Sequence, residues 1–267
     1  RGVHAELGGM IGGLLKAGFL AAGAAAVAFT VKAIKAFSSF EKKMDEVKTL
    51  LPNMSEEAFG KLEKDIRKLA VTMGVDITDA VDGLYSALSA GISPENAITF
   101  LADANDLAKA GVTDLDTAVG ALTTVINGYG LEADDANAIS KLLFATVGAG
   151  KVELKDLAPH IGKVTAVAAN LGVTFEEVSA MTAMLGSKLG EGQLPTAMSK
   201  LKVMFSEMLK SGTKVNDVFM ELQGVNIGDF LAGGGTMEEV LNKLQEHAIA
   251  TGGSMMDMFS SIEAGEG

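Results

Sequence analysis

Apolar side chains recur at alternating intervals of three and four residues along most of this chain. That spacing places them on one face of an α-helix, because a helix turns once every 3.6 residues. Each stripe predicts an amphipathic helix that buries its apolar face against a neighbour. The four clearest stripes are Phe59, Leu62, Ile66, Leu69 and Met73; Leu115, Val119, Leu122, Ile126 and Tyr129; Leu154, Leu157, Ile161, Val164 and Leu171; and Leu194, Met198, Leu201, Phe205 and Met208. Strand-like alternation is hard to find, so the pattern predicts an all-α fold.

Residues that begin and end helices separate these stripes. The capping-box spacing of Thr and Glu occurs twice, at Thr174 with Glu177 and at Thr236 with Glu239. Glycine is the preferred residue just beyond a helix C-terminus. Glycines in such places are Gly91, Gly111, Gly130, Gly172 and Gly190.

The residues at these helix boundaries recur in a loosely repeated order. Three segments, starting at Gly74, Gly111 and Gly172, each read Gly-Val, then a polar cap, then a helix that ends in Gly. Helices that also follow Gly lie between them. This order predicts a compact array of stacked helical hairpins. The caps and glycines that ordinarily separate the helices of an α-helical domain explain this order equally well.

The most apolar stretch is LGGMIGGLLKAGFLAAGAAAVAFTVKAIKAF, residues 7–37. A membrane span needs about 20 apolar residues, but the uncharged run from Ala17 to Val31 is shorter. A longer span would place Lys16 near the middle of the bilayer, which is costly. Glu6 before the run and lysines after it argue against a signal peptide.

Small residues in this stretch are spaced for close helix contact, which is favourable both in lipid and in a narrow bundle. We therefore expect an apolar helix over residues 1–37 that packs against copies of itself and can enter a membrane. A plain Ala-rich helix is the alternative. The predicted contact residues are Gly8, Gly9, Gly12, Gly13, Ala22 and Ala26.

Charge and composition narrow the range of functions. The net charge is −12 and only 5% of residues are aromatic, so specific nucleic-acid binding is not expected. The chain has no Cys and three His, and none of the His has the spacing of a metal site. The GAGK of residues 148–151 lacks the Ser or Thr that a Walker A loop needs, because Val152 stands there. We expect no enzyme activity and no cofactor.

Methionine is abundant in the second half of the chain, with 14 Met in the whole sequence. Its flexible side chain fills cores and also suits surfaces that repack against partners. Core filling is the simpler interpretation. The candidate partner-docking residues are Met198, Leu201, Phe205 and Met208.

The predicted domains follow from these patterns. Residues 1–37 form the apolar helix and residues 38–230 form the helical core domain. The flexible LAGGGT joint and a terminal helix span residues 231–250, and residues 251–267 form a linker or frayed end.

Several motifs occur in an order that resembles the core domain of phage tail tape measure proteins. They are FEKKMDEV at Phe40–Val47, GLEADDA at Gly130–Ala136 and LGVTFEE at Leu171–Glu177. The resemblance covers about residues 15 to 245. QLPTAMSKL, from Gln193 to Leu201, departs from the Gly-rich and Arg-rich sequence that relatives more often show there.

The resemblance implies a structural protein in the lumen of a phage tail near its tip. Tape measure proteins template tail-tube assembly and set tail length, as trimers or hexamers, and contact tail-tip or baseplate proteins. On infection they leave the tube, and apolar segments help the genome cross the host membrane. As one continuous helix this chain would reach only about 400 Å, so we expect the length-setting part elsewhere in a longer protein.

Three alternatives remain open at this point. A membrane-active, pore-forming helical protein would explain the apolar helix but not the ordered motifs. An envelope-hydrolysing enzyme would need catalytic residues that this segment lacks. Without the resemblance, the sequence would indicate a cytosolic helical adaptor.

Overall fold

A computed structural model describes residues 37–259, and the predicted self-packing residues lie outside that range. The described part contains twelve α-helices and no strand, which confirms the all-α fold class. The helices are α1 (residues 37–50), α2 (Glu56–Met73), α3 (Ile77–Ser89), α4 (Pro94–Ala110), α5 (Leu115–Tyr129), α6 (Ala136–Gly150), α7 (Leu154–Leu171), α8 (Phe175–Leu189), α9 (Leu194–Leu209), α10 (Lys214–Gln223), α11 (Ile227–Ala232) and α12 (Met237–Thr251). None of the helices over residues 37–259 is both long enough and apolar enough to cross a membrane.

The described chain divides into two compact units, with the boundary between Asp82 and Gly83. In the first unit, α2 buries the predicted stripe except Leu69, which is half-buried. The Arg67 guanidinium lies 4.3 Å from the centre of the buried Phe40 ring of α1, a cation–π contact that joins the two helices. Helix α2 begins at the Ser55 cap and ends at Gly74, whose φ of 71° is left-handed.

The second unit is a two-layer stack. Helices α5, α7 and α9 pack side by side in one layer, and α4, α6 and α8 pack side by side in the other. Each helix also contacts the next one along the chain, so successive hairpins bridge the layers. The stripe residues of α7 and α9 are all buried. This arrangement is the stack of helical hairpins that the sequence predicts.

Glycine allows neighbouring helices of one layer to approach closely at two places. A Cβ on Gly186 of α8 would lie 2.8 Å from the backbone oxygen of Gly150 of α6. A Cβ on Gly162 of α7 would lie 2.8 Å from the Thr124 Cγ2 of α5. Residues 148–151, which resemble part of a phosphate loop, therefore serve as the end of a tightly packed helix.

Both predicted capping boxes are present, at the starts of α8 and α12. One predicted C-cap differs from the others. Gly111 follows α4 but keeps a φ of −87°, and the next residue, Val112, takes the left-handed value of 50°. Gly111 is instead constrained by space, because a Cβ there would lie 2.9 Å from Leu154 Cδ2.

Of the C-terminal helices, α10 and α11 pack against α9, α11 also contacts α7, and α12 packs on α10. Asn216 is buried and holds this region together: its Nδ2 donates to the Met208 carbonyl at 2.9 Å, and its Oδ1 accepts from the Ile227 N–H at 3.0 Å. Residues 255–258 form a short 3₁₀ helix after α12, and Phe259 is buried. The first part of the predicted linker is thus ordered against the fold.

Candidate functional site

The candidate docking residues lie inside the stack. Met198, Leu201, Phe205 and Met208 are between 0 and 7% exposed, and α9 packs on α7. The Met198 sulfur lies 3.5 Å from the buried Thr182 hydroxyl of α8. In the described structure these four side chains fill the core and form no exposed docking surface.

The outer surface of the α5–α7–α9 layer carries a shallow groove of about 500 Å³ between α5 and α7. Small residues line it on both helices, including Gly120 and Thr124 from α5 and Ala158 and Gly162 from α7. Pro159 interrupts the α7 hydrogen-bond ladder at the edge of the groove. Such a surface suits contact with a protruding side chain rather than chemistry on a small molecule.

Helices α6 and α8 of the other layer expose two large apolar side chains. The exposed residues of α6 and α8 include Phe144, which is 49% exposed, and Met184, which is 56% exposed. Around them lie the exposed small residues Ala138, Ala145, Gly148 and Ala180. The sequence stripes did not reveal this face, because they mark only the side of each helix that points inward.

Two titratable side chains are shielded from water. Burial raises the pKa of Tyr129, and the nearby carboxylates of Glu176 and Glu177 raise it further. The Tyr129 hydroxyl has no hydrogen-bond partner among residues 37–259, and its ring packs edge-on against Phe175 at 5.8 Å. Burial likewise lowers the pKa of His160.

One group of acidic side chains, Glu153, Asp156 and Glu191, lies close enough to hold a cation, with carboxylate oxygens within 4.8 Å of one another. The Asp156 carboxyl raises the pKa of Glu191, chiefly by a hydrogen bond. Lys155 already forms an ion pair with Glu153 at 2.6 Å. The group lies at the surface and is stabilised by this lysine, so it does not point to a built metal site.

Asp76, Asp79 and Asp82 are three carboxylates at helical spacing near the start of α3. Asp76 accepts a hydrogen bond from the Thr78 N–H at 2.8 Å, which caps α3, and Asp82 pairs with Lys43. These carboxylates stabilise a helix start and a surface, as their position at a helix N-terminus predicts.

Comparison with known proteins identifies the chain at the level of family. Over 246 residues, 88% of this chain, it is 30% identical to a "Probable tape measure protein" of Clostridium phage phiCD119. Over 169 residues it is 23% identical to a "Tape measure protein" of Pneumococcus phage Dp-1. The matches span 26% and 15% of those two proteins, so the chain corresponds to a small part of each. No solved structure matches it.

The family comparison covers the described stack. The sequence model that matches is that of the phage-related minor tail proteins, and the match runs over residues 63–260. It includes all of α3 to α12 and most of α2. The groove, the exposed Phe144 and Met184 and the buried α9 residues all lie within it. Since this match extends over well more than half of the chain, the protein belongs to the phage-related minor tail protein family.

Proposed function

We propose that this chain is the folded core segment of a tape measure protein, a structural protein of the virion that templates tail assembly and length. The observation that carries the proposal is the coverage of the comparison. Nearly all of this chain aligns with about a quarter of one tape measure protein. The chain therefore corresponds to one folded part of a much longer molecule.

The short helices of this segment support separate roles for different parts of that longer molecule. The longest helices with both ends in the described range, α2 and α7, have 18 residues and span about 27 Å. Their chain folds back after each helix, so the stack gains little length per residue. We propose that length is set by other parts of the protein, and that this segment lies in the tail lumen near the tip. Its partners there are tail-tube and tail-tip or baseplate proteins.

The proposed role includes self-association and genome delivery through residues 1–37. The support is the spacing of Gly8, Gly12, Ala22 and Ala26 in an apolar stretch of marginal hydrophobicity. A peptide of residues 1–37 should self-associate as a trimer or hexamer and bind liposomes. If it does neither, this part of the proposal fails. The role needs no cofactor and no catalysis, and a zymogram of the full chain should show no envelope hydrolysis.

Mass spectrometry of gradient-purified particles is the decisive test of the tail assignment. The expected result is a few copies of this chain per particle, together with peptides that extend beyond it. Recovery only from a cell fraction would contradict the assignment and favour the membrane-active alternative.

Deletions separate the proposed segment from the length-setting part. The length-setting part of the longer protein, if it is a continuous helix, rises about 1.5 Å per residue, so an in-frame deletion there should shorten tails by that amount per deleted residue. A deletion of equal size within α5–α9 should stop tail assembly, because it removes stacked hairpins. Tails that shorten in proportion to deletions within α5–α9 would contradict these separate roles.

A further inference from the structure

Helix α12 buries one side only. It packs mainly on α10 and on the 3₁₀ helix of residues 255–258, and its buried residues form a single stripe of Met237, Val240, Leu244 and Ala248. The exposed polar residues of its other side are Glu238, Glu239, Asn242, Gln245 and Glu246. Helix α7, by contrast, packs between α5 and α9 and also contacts α6, α8 and α11. Movement of α12 away from α10 would therefore leave the contacts among α4–α9 in place.

The connection between α11 and α12 contains three consecutive glycines. Gly233 and Gly234 are exposed, and Gly234 has a left-handed φ of 95°. Glycine adopts the widest range of backbone conformations of any residue, so the chain can change direction here at little steric cost. Gly235 lies against the Phe230 ring of α11, which leaves no room for a Cβ. The connection thus permits movement and also has a defined arrangement when α12 is docked.

Two hydrogen bonds hold the two ends of the segment that contains α12. At its start, Glu177 Oε1 of α8 accepts from the Met237 N–H at 2.8 Å. At its end, Lys214 Nζ of α10 donates to the Asp257 carbonyl at 2.8 Å, and the next residues, Met258 and Phe259, are buried. A helix with one free end opens gradually from that end, whereas a segment held at both ends loses its contacts together.

We propose that residues 236–259 form a strap that closes over α10 and opens as one unit about Gly233 and Gly234, while α4–α9 stay folded. Opening breaks the hydrogen bonds at both ends and exposes the apolar stripe of α12 together with the surface of α10 beneath it. Burial of that stripe favours the closed state, so the open state is a minor population. The strap is a property of this fold and does not depend on the tail function proposed above.

Native-state hydrogen exchange of the full chain, measured at a series of low urea concentrations, tests the proposal. The amides of α12 should share one opening free energy and one urea dependence, because a single opening exposes the same surface for all of them. Their protection should be at least about tenfold lower than that of α5 and α7. Protection equal to that of α7 would overturn the proposal, since α12 would then open only with the whole protein. Protection that falls steadily along α12 without urea dependence would overturn it too, since that is a frayed helix.

Variants at the two held ends provide a second readout. Glu177→Ala removes the hydrogen bond at the start, and Lys214→Met removes the one at the end but keeps an apolar stem. Each should speed exchange severalfold and by the same factor along the whole of α12. The matched control is Lys188→Met, since Lys188 is exposed on α8 and outside the strap, and it should leave α12 unchanged. Faster exchange confined to the first turn in Glu177→Ala, or to the last turn in Lys214→Met, would show that the two ends open independently and would overturn the proposal.

Discussion

Glu177 joins the starts of two helices that lie 60 residues apart. Its Oε1 accepts a hydrogen bond from the Met237 N–H at 2.8 Å, while its Oε2 accepts one from the Thr174 N–H at 3.0 Å. The first turn of a helix leaves backbone N–H groups without partners, and one carboxylate here satisfies such groups at α8 and α12. Met237 is buried, so water cannot readily replace Glu177 as the hydrogen-bond acceptor of the Met237 N–H.

Replacement of Glu177 by Ala should therefore cost more stability than replacement of Glu239, its counterpart in the capping box of α12. Among residues 37–259, the Glu239 side chain accepts only from the Thr236 N–H, at 2.9 Å. We expect a loss of about 1 kcal/mol for Glu239→Ala and of about 2–3 kcal/mol for Glu177→Ala, because the latter also leaves a buried N–H unpaired. Urea unfolding measures both changes.

Hydrogen exchange locates the effect. The Met237 amide should exchange faster in Glu177→Ala than in the parent chain, and α12 should open before the stack. Equal losses of stability in the two variants, with unchanged exchange at Met237, would show that the Glu177–Met237 contact stabilises nothing.

Local sequence signals predict much of this fold. The stripes of α5, α7 and α9 identify their buried faces, and the Thr174–Glu177 spacing predicts a capping box that the structure contains. The apolar stripes and the capping box each depend on residues within about one helical turn of each other. The contact between Glu177 and Met237 joins distant parts of the chain, and no local spacing encodes it.

The same limit of local spacing explains why the sequence did not show that the predicted docking residues are buried. The spacing of Met198, Leu201 and Phe205 shows that one face of α9 is apolar, but it does not show what covers that face. In the structure other helices of the same chain cover it: α9 packs on α7, and Met198 contacts Thr182 of α8. The exposed Phe144, by contrast, lies off every stripe and becomes visible only when the layers are assembled.

Gly186→Ala should destabilise the second unit, whereas Gly148→Ala should stabilise it. A Cβ at Gly186 would lie 2.8 Å from a Gly150 backbone oxygen and 2.9 Å from Val152 Cγ1, so α6 and α8 must move apart. Such overpacking costs about 1–3 kcal/mol. Gly148 is exposed within α6 with no atom near its Cβ position, so alanine should gain about 0.5–1 kcal/mol.

Thermal unfolding at low protein concentration distinguishes the two glycine variants without interference from self-association. The expected result is opposite shifts in Tm. A Gly186→Ala chain as stable as the parent would mean that α6 and α8 can separate freely at this point, contrary to the packing described.

Val112 is strained, and its replacement should stabilise the protein. It has a φ of 50° and is 86% exposed in the turn between α4 and α5. A β-branched residue tolerates the left-handed region poorly, whereas asparagine adopts it more readily. Val112→Asn should therefore gain about 1 kcal/mol in the free energy of unfolding.

The matched control for Val112→Asn is Val71→Asn, because Val71 is 83% exposed within α2. Valine and asparagine have similar helix propensities, so this change should be nearly neutral. Urea midpoints of the two variants test the prediction. A Val112→Asn chain no more stable than the parent would show that the turn is not strained.

Tyr129 should weaken the fold at alkaline pH. Burial favours its neutral phenol and raises its pKa above the ordinary value of 10.0. As the pH rises above about 10, the unfolded chain loses this proton while the folded chain keeps it, so the unfolded state gains stability. The stability that depends on the neutral phenol is complete below pH 10 and declines above it. Tyr129→Phe should remove this part of the alkaline loss.

At neutral pH the same substitution should be neutral or stabilising by up to about 1 kcal/mol, because the buried hydroxyl has no hydrogen-bond partner within residues 37–259. The chain has two Tyr and no Trp, so a Tyr85→Phe background leaves Tyr129 as the only reporter of tyrosinate absorbance near 295 nm. In that background we expect an ionisation midpoint above 10 that coincides with alkaline unfolding. A midpoint at or below 10 in the folded protein would mean that water reaches the hydroxyl, and that its shielding between α5 and the start of α8 does not persist in solution.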